Sequence, residues 1–593
     1  MHALEVTASV PGTPRKACFS NLGIVLNTGQ PALCVGFVPR RLNFNVRTMF
    51  WLPVLLAVLS TLASAREVVV DLGYAQYRGQ AFSNGIAQWL GIRYAAPPLG
   101  SLRFSAPQDP EEVGGIQDAS QHGPLCISTD EYPIPAGMSE DCLFLDVYAP
   151  AGFRGDSSGL SPVYVFIQGG GFNSNGNPYY NGAGLIQASD MNIVVVTFNY
   201  RVGPYGFLSG AEVLNDGSVN NGLKDMIQVL EWVQKHIEKF GGDPDHVVIG
   251  GDSAGAAAIT LLLSAYGGQD DGLFHAAAAE SQSFAPMFTI DETQFAYDGL
   301  ALRTGCNGAA HTLSCLRSLD VSVLQRANIA TPLPGATEPP IYFYGPVVDN
   351  DLIPDYTYRM FEEGRFIEVP VIFGDVTNEG TSFVPENLTS IAATNSFLQA
   401  QFPTLTPQHL NRIREYYLQD IESAPLYPNA TRYWRPVSNA YGELRYNCPG
   451  MAMSSAFADA GVPSWNYHYS VLDAADEANG KGVWHVVELN AIWGPENMWW
   501  SDDISNPPPD SYYTSNAAII PVMQGYWTSF IRSFDPNTFR YPGSPRWETW
   551  GGKHGEGFER LFIRTGETRM ESVPWDQREK CDYFISIGVE LTQ

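Results

Sequence analysis

A serine stands between two glycines in the segment Gly251-Asp-Ser253-Ala-Gly255. The apolar run 246–250 before it predicts a buried strand, and the alanine- and leucine-rich stretch 254–264 after it predicts a helix. A serine on a tight turn from strand to helix needs a strained backbone, and the flanking glycines relieve the crowding. A Gly-x-Ser-x-Gly pattern can arise by chance in a chain with 57 glycines. The interpretation of Ser253 as a nucleophile therefore depends on the predicted strand before it and the predicted helix after it.

Three consecutive glycines follow a second apolar run in Val163-Tyr-Val-Phe-Ile-Gln-Gly-Gly-Gly171-Phe172. They could form a flexible loop. Glycines also let backbone N–H groups turn toward a substrate without side chains in the way. We therefore predict that the N–H groups of Gly170, Gly171 and Ala254 form an oxyanion hole, which stabilises the negative oxygen of a tetrahedral intermediate.

Apolar strands and amphipathic helices alternate through the first half of the chain. Residues 193–199 are typical of a buried strand, and the stretch 221–240 places six apolar side chains on one helical face. This alternation predicts an α/β fold with a mostly parallel sheet and helices on both faces. No repeat, low-complexity linker or charge run divides residues 66–593, so we expect one catalytic domain there. The second half should add helices and loops around the site.

The composition limits the possible partners. Of the 593 residues, 45% are hydrophobic and 16% are charged, which excludes a disordered chain. The net charge of −28 repels nucleic acid and anionic membrane surfaces. We expect a small-molecule substrate, no nucleic-acid partner and no stable membrane insertion, and the oligomeric state stays open.

The N-terminal region carries an apolar run that begins at Met49 and ends in Ala63-Ser-Ala65, with Arg47 before it. These features predict a secretory signal peptide over residues 49–65 and a secreted chain that begins at Arg66. The run is shorter than the roughly 20 residues that a membrane-spanning helix needs. Residues 1–48 are either a genuine leader or the product of a mis-assigned start, and we favour the second.

Several long motifs occur in an order that resembles one family, the type-B carboxylesterases, which include cholinesterases and some fungal lipases. The resemblance spans most of residues 70–590 and rests on segments 91–100, 139–147, 198–207 and 221–225. It implies an α/β-hydrolase fold in a secreted fungal protein that hydrolyses esters without metal or cofactor. Relatives usually have histidine where this chain has Gln168, a departure that should alter the hydrogen bonds behind the glycine loop.

The resemblance also implies the partners of Ser253. The segment around His485 resembles the family's histidine motif, and Glu379, which precedes a glycine, resembles its acid. Asp375 is the nearest rival for the acid. The other histidines weighed for the base are His409, His468 and His554, which fall in a helix-like stretch, a strand and a glycine-rich loop.

Two further residues follow from the same resemblance. Ser281 matches a family serine that supports the acid without belonging to the triad itself, and Asp252 stands where many relatives have glutamate. In the implied mechanism, His485 takes the proton of Ser253 as the hydroxyl attacks an ester, and water later cleaves the acyl-enzyme. Glu379 would hold the imidazole in the correct tautomer and stabilise its charged form.

Six cysteines remain when Cys18 and Cys34 of the suspect extension are set aside, and an even number suits disulfides in an oxidising compartment. The resemblance implies that the pairs are Cys126–Cys142, Cys306–Cys315 and Cys448–Cys581. Asn387 and Asn429 begin sequons that are compatible with glycosylation along the secretory route.

The loop between the first two of these cysteines bears on the substrate. Only 15 residues intervene, too few for the long flap of the family's lipases, and Tyr132 is their only aromatic residue. Small to medium soluble esters are therefore favoured over long-chain acylglycerols and over quaternary ammonium esters. A lipase, or a non-catalytic cholinesterase-like binding protein, is the alternative. Aromatic residues that could line a gorge, or pack in the core, are Phe172, Trp484, Trp493, Trp499 and Trp500.

Overall fold

A computed structural model describes residues 66–152, 159–498, 507–551 and 557–593 of the protein. Residues 1–48, the predicted signal peptide 49–65, Trp499, Trp500 and His554 lie outside the described residues. The described residues all belong to one compact unit. No helix among them is long and apolar enough to cross a bilayer.

The strands are numbered along the chain. They are β1 (Arg66–Asp71), β2 (Gln76–Ala81), β3 (Ile86–Arg93), β4 (Ile116–Asp118), β5 (Leu125–Cys126), β6 (Met138–Ser139), β7 (Phe144–Pro150), β8 (Ser161–Ile167), β9 (Val194–Phe198), β10 (Gly242–Asp252), β11 (Ala276–Glu280), β12 (Phe288–Thr289), β13 (Val347–Val348), β14 (Val371–Val376), β15 (Ser464–Tyr469), β16 (Glu559–Ile563) and β17 (Arg569–Ser572). Two pairs, β5 with β6 and β12 with β13, form separate small sheets.

The remaining strands form one 13-stranded sheet in the order β1-β2-β3-β7-β9-β8-β10-β11-β14-β15-β16-β17, with β4 beside β2. The seven central strands, β9, β8, β10, β11, β14, β15 and β16, pair with one another in parallel. The pairs toward the two edges, β1–β2, β2–β3, β3–β7, β7–β9 and β16–β17, are antiparallel. The predicted mostly parallel sheet is therefore confirmed. Because parallel strands end at a common edge, the loops after β8, β10, β11 and β14 meet there.

The helices occupy the connections. They are α1 (Ala183–Ala188), α2 (Gly203–Phe207), α3 (Ala211–Asp216), α4 (Asn221–His236), α5 (Ala254–Leu263), α6 (Ile290–Thr304), α7 (Thr312–Ser318), α8 (Val321–Ala327), α9 (Thr357–Glu362), α10 (Ile391–Gln401), α11 (Pro407–Tyr417), α12 (Trp434–Gly442), α13 (Cys448–Asp459), α14 (Ala474–Asn479), α15 (Leu489–Trp493), α16 (Ile520–Ser533) and α17 (Trp575–Ser586). Between α12 and α13 the chain forms one wider π-helical turn, Glu443–Asn447.

Both faces of the sheet are covered, as β8 illustrates. Val163 and Val165 pack in a core cluster that contains α4 and α5. Tyr164 and Phe166, which alternate with them, pack in a second cluster that contains α15 and α16. Alternate side chains of a strand point to opposite faces, so a strand buried on both sides is apolar throughout.

A third apolar cluster lies among α10 to α13 and α17. It contains the disulfide Cys448–Cys581, which joins α13 to α17 across 133 residues of sequence. The structure also contains the disulfides Cys126–Cys142 and Cys306–Cys315, the other two pairs that the resemblance implies.

We expect the Cys448→Ala/Cys581→Ala double variant to lose more stability than Cys306→Ala/Cys315→Ala. The first disulfide closes 133 residues and the second closes 9. On chain entropy alone, these loops correspond to about 5 and about 2.5 kcal/mol of unfolding free energy. Thermal unfolding of both variants in parallel checks this order, and a larger drop in Tm for the short-loop variant would contradict it.

Candidate active site

Ser253 lies on the sharp turn between β10 and α5, with a left-handed φ of +54° and ψ of −115°. Its N–H donates to the carbonyl oxygen of Glu280 on the neighbouring strand at 3.0 Å. Glycine is required at positions 251 and 255 because the turn lies very close to the end of β8. A Cβ at Gly255 would lie 1.9 Å from the Ile167 carbonyl oxygen, and a Cβ at Gly251 would lie 2.7 Å from the same atom.

The glycine loop after β8 lies beside this turn. Gly170 and Gly171 have φ values of +106° and +62°, a region that glycine adopts without strain. A Cβ at Gly170 would lie 2.1 Å from the Ser174 carbonyl oxygen. The N–H groups of Gly170, Gly171 and Ala254 donate no hydrogen bond to any other described residue, so they are available to an oxygen of a substrate.

Gln168 holds the loop from behind. Its Nε2 donates to the Phe198 carbonyl oxygen at 2.7 Å, and its Oε1 accepts the N–H of Gly176. Tyr200 adds a hydrogen bond from its hydroxyl to the Gln168 carbonyl oxygen at 2.9 Å. The amide thus both donates and accepts, and it ties two loops and a strand end together.

Asp252, directly before the nucleophile candidate, is buried. Its Oδ1 accepts the N–H of Gly169 at 2.9 Å and the hydroxyl of Tyr180 at 3.2 Å. Burial raises the pKa of Asp252 to about 6, although these hydrogen bonds and the charge of nearby His485 oppose the shift. The carboxylate therefore links the glycine loop, the serine turn and the histidine electrostatically.

His485 and Glu379 meet at the edge of the sheet. The Glu379 Oε2 accepts a hydrogen bond from Nδ1 of the imidazole, and its Oε1 accepts the N–H of Val376 at 2.8 Å. The rings of Tyr446 and Phe383 flank the imidazole, with centroids 4.6 and 4.9 Å away. Nε2 of His485 is buried and has no hydrogen-bond partner among the described residues, so it can accept a proton.

Reciprocal hydrogen bonds between two loops bring this pair together. The N–H of Asn378 donates to the Val483 carbonyl oxygen at 2.9 Å, and the N–H of Val483 donates to Asn378 Oδ1 at 3.0 Å. Thr381 Oγ1 adds a bond to the Lys481 carbonyl oxygen at 2.8 Å. Residues separated by about a hundred positions in sequence are thus held in register next to the site.

The alternative candidates for the acid, Asp375, and for the base, His468 and His409, lie in different environments. Asp375 is buried, and its Oδ1 has no hydrogen-bond partner among the described residues. His468 bonds through Nδ1 to Glu571 at 2.8 Å, at the far edge of the sheet. His409 lies in the first turn of α11. None of these three contacts His485 through a hydrogen bond in the part of the chain that the structure describes.

Ser281, which was expected to support the acid, contacts another buried carboxyl. Its hydroxyl donates to Glu488 Oε1 at 3.1 Å rather than to Glu379. The same oxygen accepts the Tyr467 hydroxyl at 3.0 Å, and the other oxygen, Oε2, has no partner in the described ranges. Burial, together with the charge of Glu379, raises the pKa of Glu488. Sequence reasoning missed this residue, although a lone glutamate in an apolar run three positions after the histidine was a usable signal.

The aromatic residues considered for a gorge divide into two groups. Phe172 lines a cavity next to the glycine loop and packs against Phe207, with ring centroids 5.1 Å apart. Trp493 is fully buried against Phe166, so it belongs to the core. Trp484 donates from its indole N–H to Asp476 and lies outside that cavity.

The cavity is bordered by Gly171 and by Ala257, one turn after Ser253 on α5. Its volume is about 80 Å³. Apolar and aromatic side chains form most of its wall, and Arg445 is the only charged side chain among the described residues that line it. The described residues contain no cluster of three histidine, cysteine or acidic side chains that could hold a metal ion.

Comparison with known proteins identifies the family. The model of the carboxylesterase family matches residues 66–575. The chain belongs to this family. Secreted lipase 4 of Gibberella zeae is 30% identical over 504 residues, which cover 82% of this chain and 85% of the relative. Lipase 2 of Geotrichum candidum is 32% identical over 541 residues, which cover 82% and 90%.

Among solved structures, Aspergillus niger EstA is 42% identical and superposes with a TM-score of 0.83. The match covers 89% of this chain and 99% of that protein. The α/β-hydrolase fold is therefore confirmed, and the protein is a carboxylic ester hydrolase.

The Gly171→Ala variant should lose at least about 100-fold in kcat/KM for a simple ester, because one oxyanion donor would be displaced. The added Cβ would lie 2.1 Å from the ring of Tyr342 and would also strain a φ of +62°. Gly100→Ala is the matched control, since Gly100 has a φ of +58° and open space around it. Equal losses in the two variants, measured on ester hydrolysis, would contradict a role specific to Gly171.

Glu488→Gln should stabilise the protein more at pH 8 than at pH 5. The native pKa of Glu488 lies above its unfolded value of 4.5, so the native state retains a proton that the unfolded chain releases as the pH rises. Ionisation in the buried site therefore destabilises the wild type at higher pH, and glutamine removes that cost. Tm values at both pH values test this, with the exposed Glu112→Gln as a control; a gain that is equal or larger at pH 5 would refute it.

Proposed function

We propose that the protein is a secreted serine esterase that acts on small to medium soluble esters through Ser253, His485 and Glu379. The observation that carries this proposal is the state of His485. Glu379 holds its Nδ1, and its buried Nε2 has no partner among the described residues. An imidazole held in this way is oriented to accept a proton from a serine hydroxyl, and we assign that serine to Ser253.

The reaction begins when the Ser253 hydroxyl attacks the ester carbonyl carbon and His485 Nε2 takes its proton. Glu379 stabilises the resulting imidazolium, and the charge of buried Asp252 adds to this effect. The tetrahedral intermediate then collapses, and the imidazolium gives its proton to the leaving alcohol. Water, activated by the same imidazole, attacks the acyl-enzyme and releases the acid.

The N–H groups of Gly170, Gly171 and Ala254 stabilise the oxyanion in both tetrahedral intermediates. Their directions are set before substrate arrives, because Gln168, Asp252 and the left-handed glycine backbone hold the loop. Donors that need no reorganisation stabilise developing charge more effectively than water does.

The preference for short and medium acyl groups rests on two features. The cavity next to the glycine loop is narrow, with a volume of about 80 Å³, which favours a short acyl group over a long chain. The loop between Cys126 and Cys142 is also fastened, because Gln325 Nε2 donates to the carbonyl oxygens of Ser128 at 2.7 Å and Glu131 at 3.0 Å. A fastened short loop is a poor lid, which disfavours a lipase that opens at an oil surface.

Tyr132, the only aromatic residue of that loop, already contacts a cation of the protein itself. The guanidinium of Arg326 lies 4.9 Å from its ring centroid. This contact occupies one face of the only aromatic ring in the loop, which supports the expectation that quaternary ammonium esters are disfavoured.

Secretion is supported by the three disulfides, which persist in oxidising compartments. Both sequon asparagines, Asn387 and Asn429, are exposed, and the N–H of Thr431 donates to the Glu386 carbonyl oxygen at 2.9 Å. The two proposed glycosylation sites thus lie close together on one surface. The signal peptide over 49–65 remains a prediction from sequence.

We expect the protein to hydrolyse p-nitrophenyl acetate and butyrate with a higher kcat/KM than the palmitate. Ser253→Ala should reduce these rates by about 10⁴-fold or more, because the nucleophile is lost while the oxyanion donors remain. Ser264→Ala, which removes a buried hydroxyl at the other end of α5, is the control and should retain wild-type rates.

Three results would redirect the proposal. A preference for palmitate, with a hydrolysis rate that rises once the ester exceeds its solubility limit, would favour a lipase. The two relatives from Gibberella zeae and Geotrichum candidum are named as lipases. Undiminished hydrolysis by Ser253→Ala would exclude Ser253 as nucleophile. Absence of both turnover and fluorophosphonate labelling in folded protein would favour the non-catalytic binding protein.

A further inference from the structure

Arg445 lies in the π-helical turn Glu443–Asn447 that separates α12 from α13. Such turns are rare and often occur at functional sites, because the extra residue redirects side chains. The next residue, Tyr446, has its ring 4.6 Å from the ring of His485, and Arg445 itself lines the cavity next to Gly171. The turn therefore presents two consecutive side chains to the active site.

The guanidinium of Arg445 has no acidic partner among the residues that the structure describes. The residue is 5% exposed, and it forms no salt bridge with any described residue. Its Nε has no hydrogen-bond partner in the described ranges. Buried arginines are normally paired with an acid, because removing an unpaired charge from water is costly.

Aromatic rings surround this cation without neutralising it. The centroids of Tyr342, Tyr441 and Tyr446 lie 5.5, 5.9 and 5.7 Å from the guanidinium carbon, near the limit of cation–π attraction. The hydroxyls of Tyr441 and Tyr446 are buried and have no partner among the described residues. The cluster thus combines a planar cation with spare hydrogen-bond donors, a set suited to a planar anion.

The cluster lies next to the glycine loop that is proposed as the oxyanion hole. A Cβ at Gly171 would touch the ring of Tyr342, and the same ring lies 5.5 Å from the Arg445 guanidinium. One tyrosine ring therefore separates the proposed oxyanion hole from the cation. No acidic side chain lines the cavity among the described residues, although the chain as a whole carries a net charge of −28.

We propose that Arg445 binds a carboxylate carried by the ester substrate, so that the enzyme prefers esters with a free carboxylate over neutral esters of the same shape. This inference rests on the proposed esterase function and adds its substrate class. Arginine binds a carboxylate through two parallel N–H···O hydrogen bonds, which fixes orientation as well as affinity. The substrate's own charge then supplies the counter-ion that the fold omits.

The test compares two isosteric esters, monoethyl succinate and ethyl 4-methylpentanoate, by ethanol release. A second pair, 4-acetoxybenzoate and methyl 4-acetoxybenzoate, carries the carboxylate on the alcohol side instead. In at least one pair, we expect a kcat/KM about 10-fold or more higher for the charged ester. Arg445→Gln should lower the ratio of the two kcat/KM values, charged ester over neutral ester, by about 10- to 100-fold. Arg445→Lys should lower it by less, because lysine keeps the positive charge but loses the paired N–H donors of the guanidinium.

Arg435→Gln is the matched control. Arg435, in the first turn of α12, also contacts two aromatic rings, those of Tyr427 and Trp434, but it does not line the cavity. The ratio of kcat/KM for the charged ester to that for the neutral ester should be the same in Arg435→Gln as in the wild type. Because the ratio is measured within each variant, a general loss of folded enzyme does not alter it.

An additional measurement needs no variant. Succinate should inhibit hydrolysis of the neutral ester competitively in the wild type, whereas succinamide should not. Hydrolysis of neutral esters with no charged-ester preference in either pair would overturn the role of Arg445 and leave the esterase intact. Failure to hydrolyse any of the four esters would instead contradict the proposed function itself.

Discussion

The left-handed backbone of Ser253 is the constraint on which the rest of the site depends. A residue with a side chain pays about 1–3 kcal/mol for such a conformation, so the surrounding structure must enforce it. Two neighbouring strands do so: β11 accepts the Ser253 N–H through Glu280, and β8 packs its Ile167 carbonyl oxygen against Gly255. The parallel centre of the sheet thus sets the direction of the hydroxyl, and the loops after β8, β11 and β14 end at the same edge.

Charge is distributed unevenly around His485. Several carboxyls near the site are buried, and burial raises the pKa values of Asp252, Asp375 and Glu488. The ring of Tyr446, which contacts the imidazole, also lies 5.7 Å from the guanidinium of Arg445, and that cation forms no salt bridge with a described residue. In the proposed mechanism, Glu379 and Asp252 stabilise the imidazolium during proton transfer, whereas Arg445 is proposed to bind a substrate carboxylate.

Much of the architecture could be predicted because the signals are local. Apolar runs with short spacing predicted β8, β9 and β10, and the glycine spacing around Ser253 predicted the turn after β10. The contacts of Ser281, Glu488 and Arg445 could not be predicted in the same way. Each depends on side chains from distant segments, and a buried charge is invisible in a sequence until its neighbours are known.

The sequence by itself determined the α/β fold class and the serine turn, because strand periodicity and turn glycines act over a few positions. Its longer motifs carried the resemblance that implied the family and the partners of Ser253. Only the tertiary structure decided which of these residues meet. Hydrogen bonds between the 378 and 483 loops bring Glu379 to His485, and the π-helical turn directs Arg445 into the cavity. Such contacts join segments about a hundred or more residues apart, so they depend on the packing of the whole sheet rather than on any local pattern.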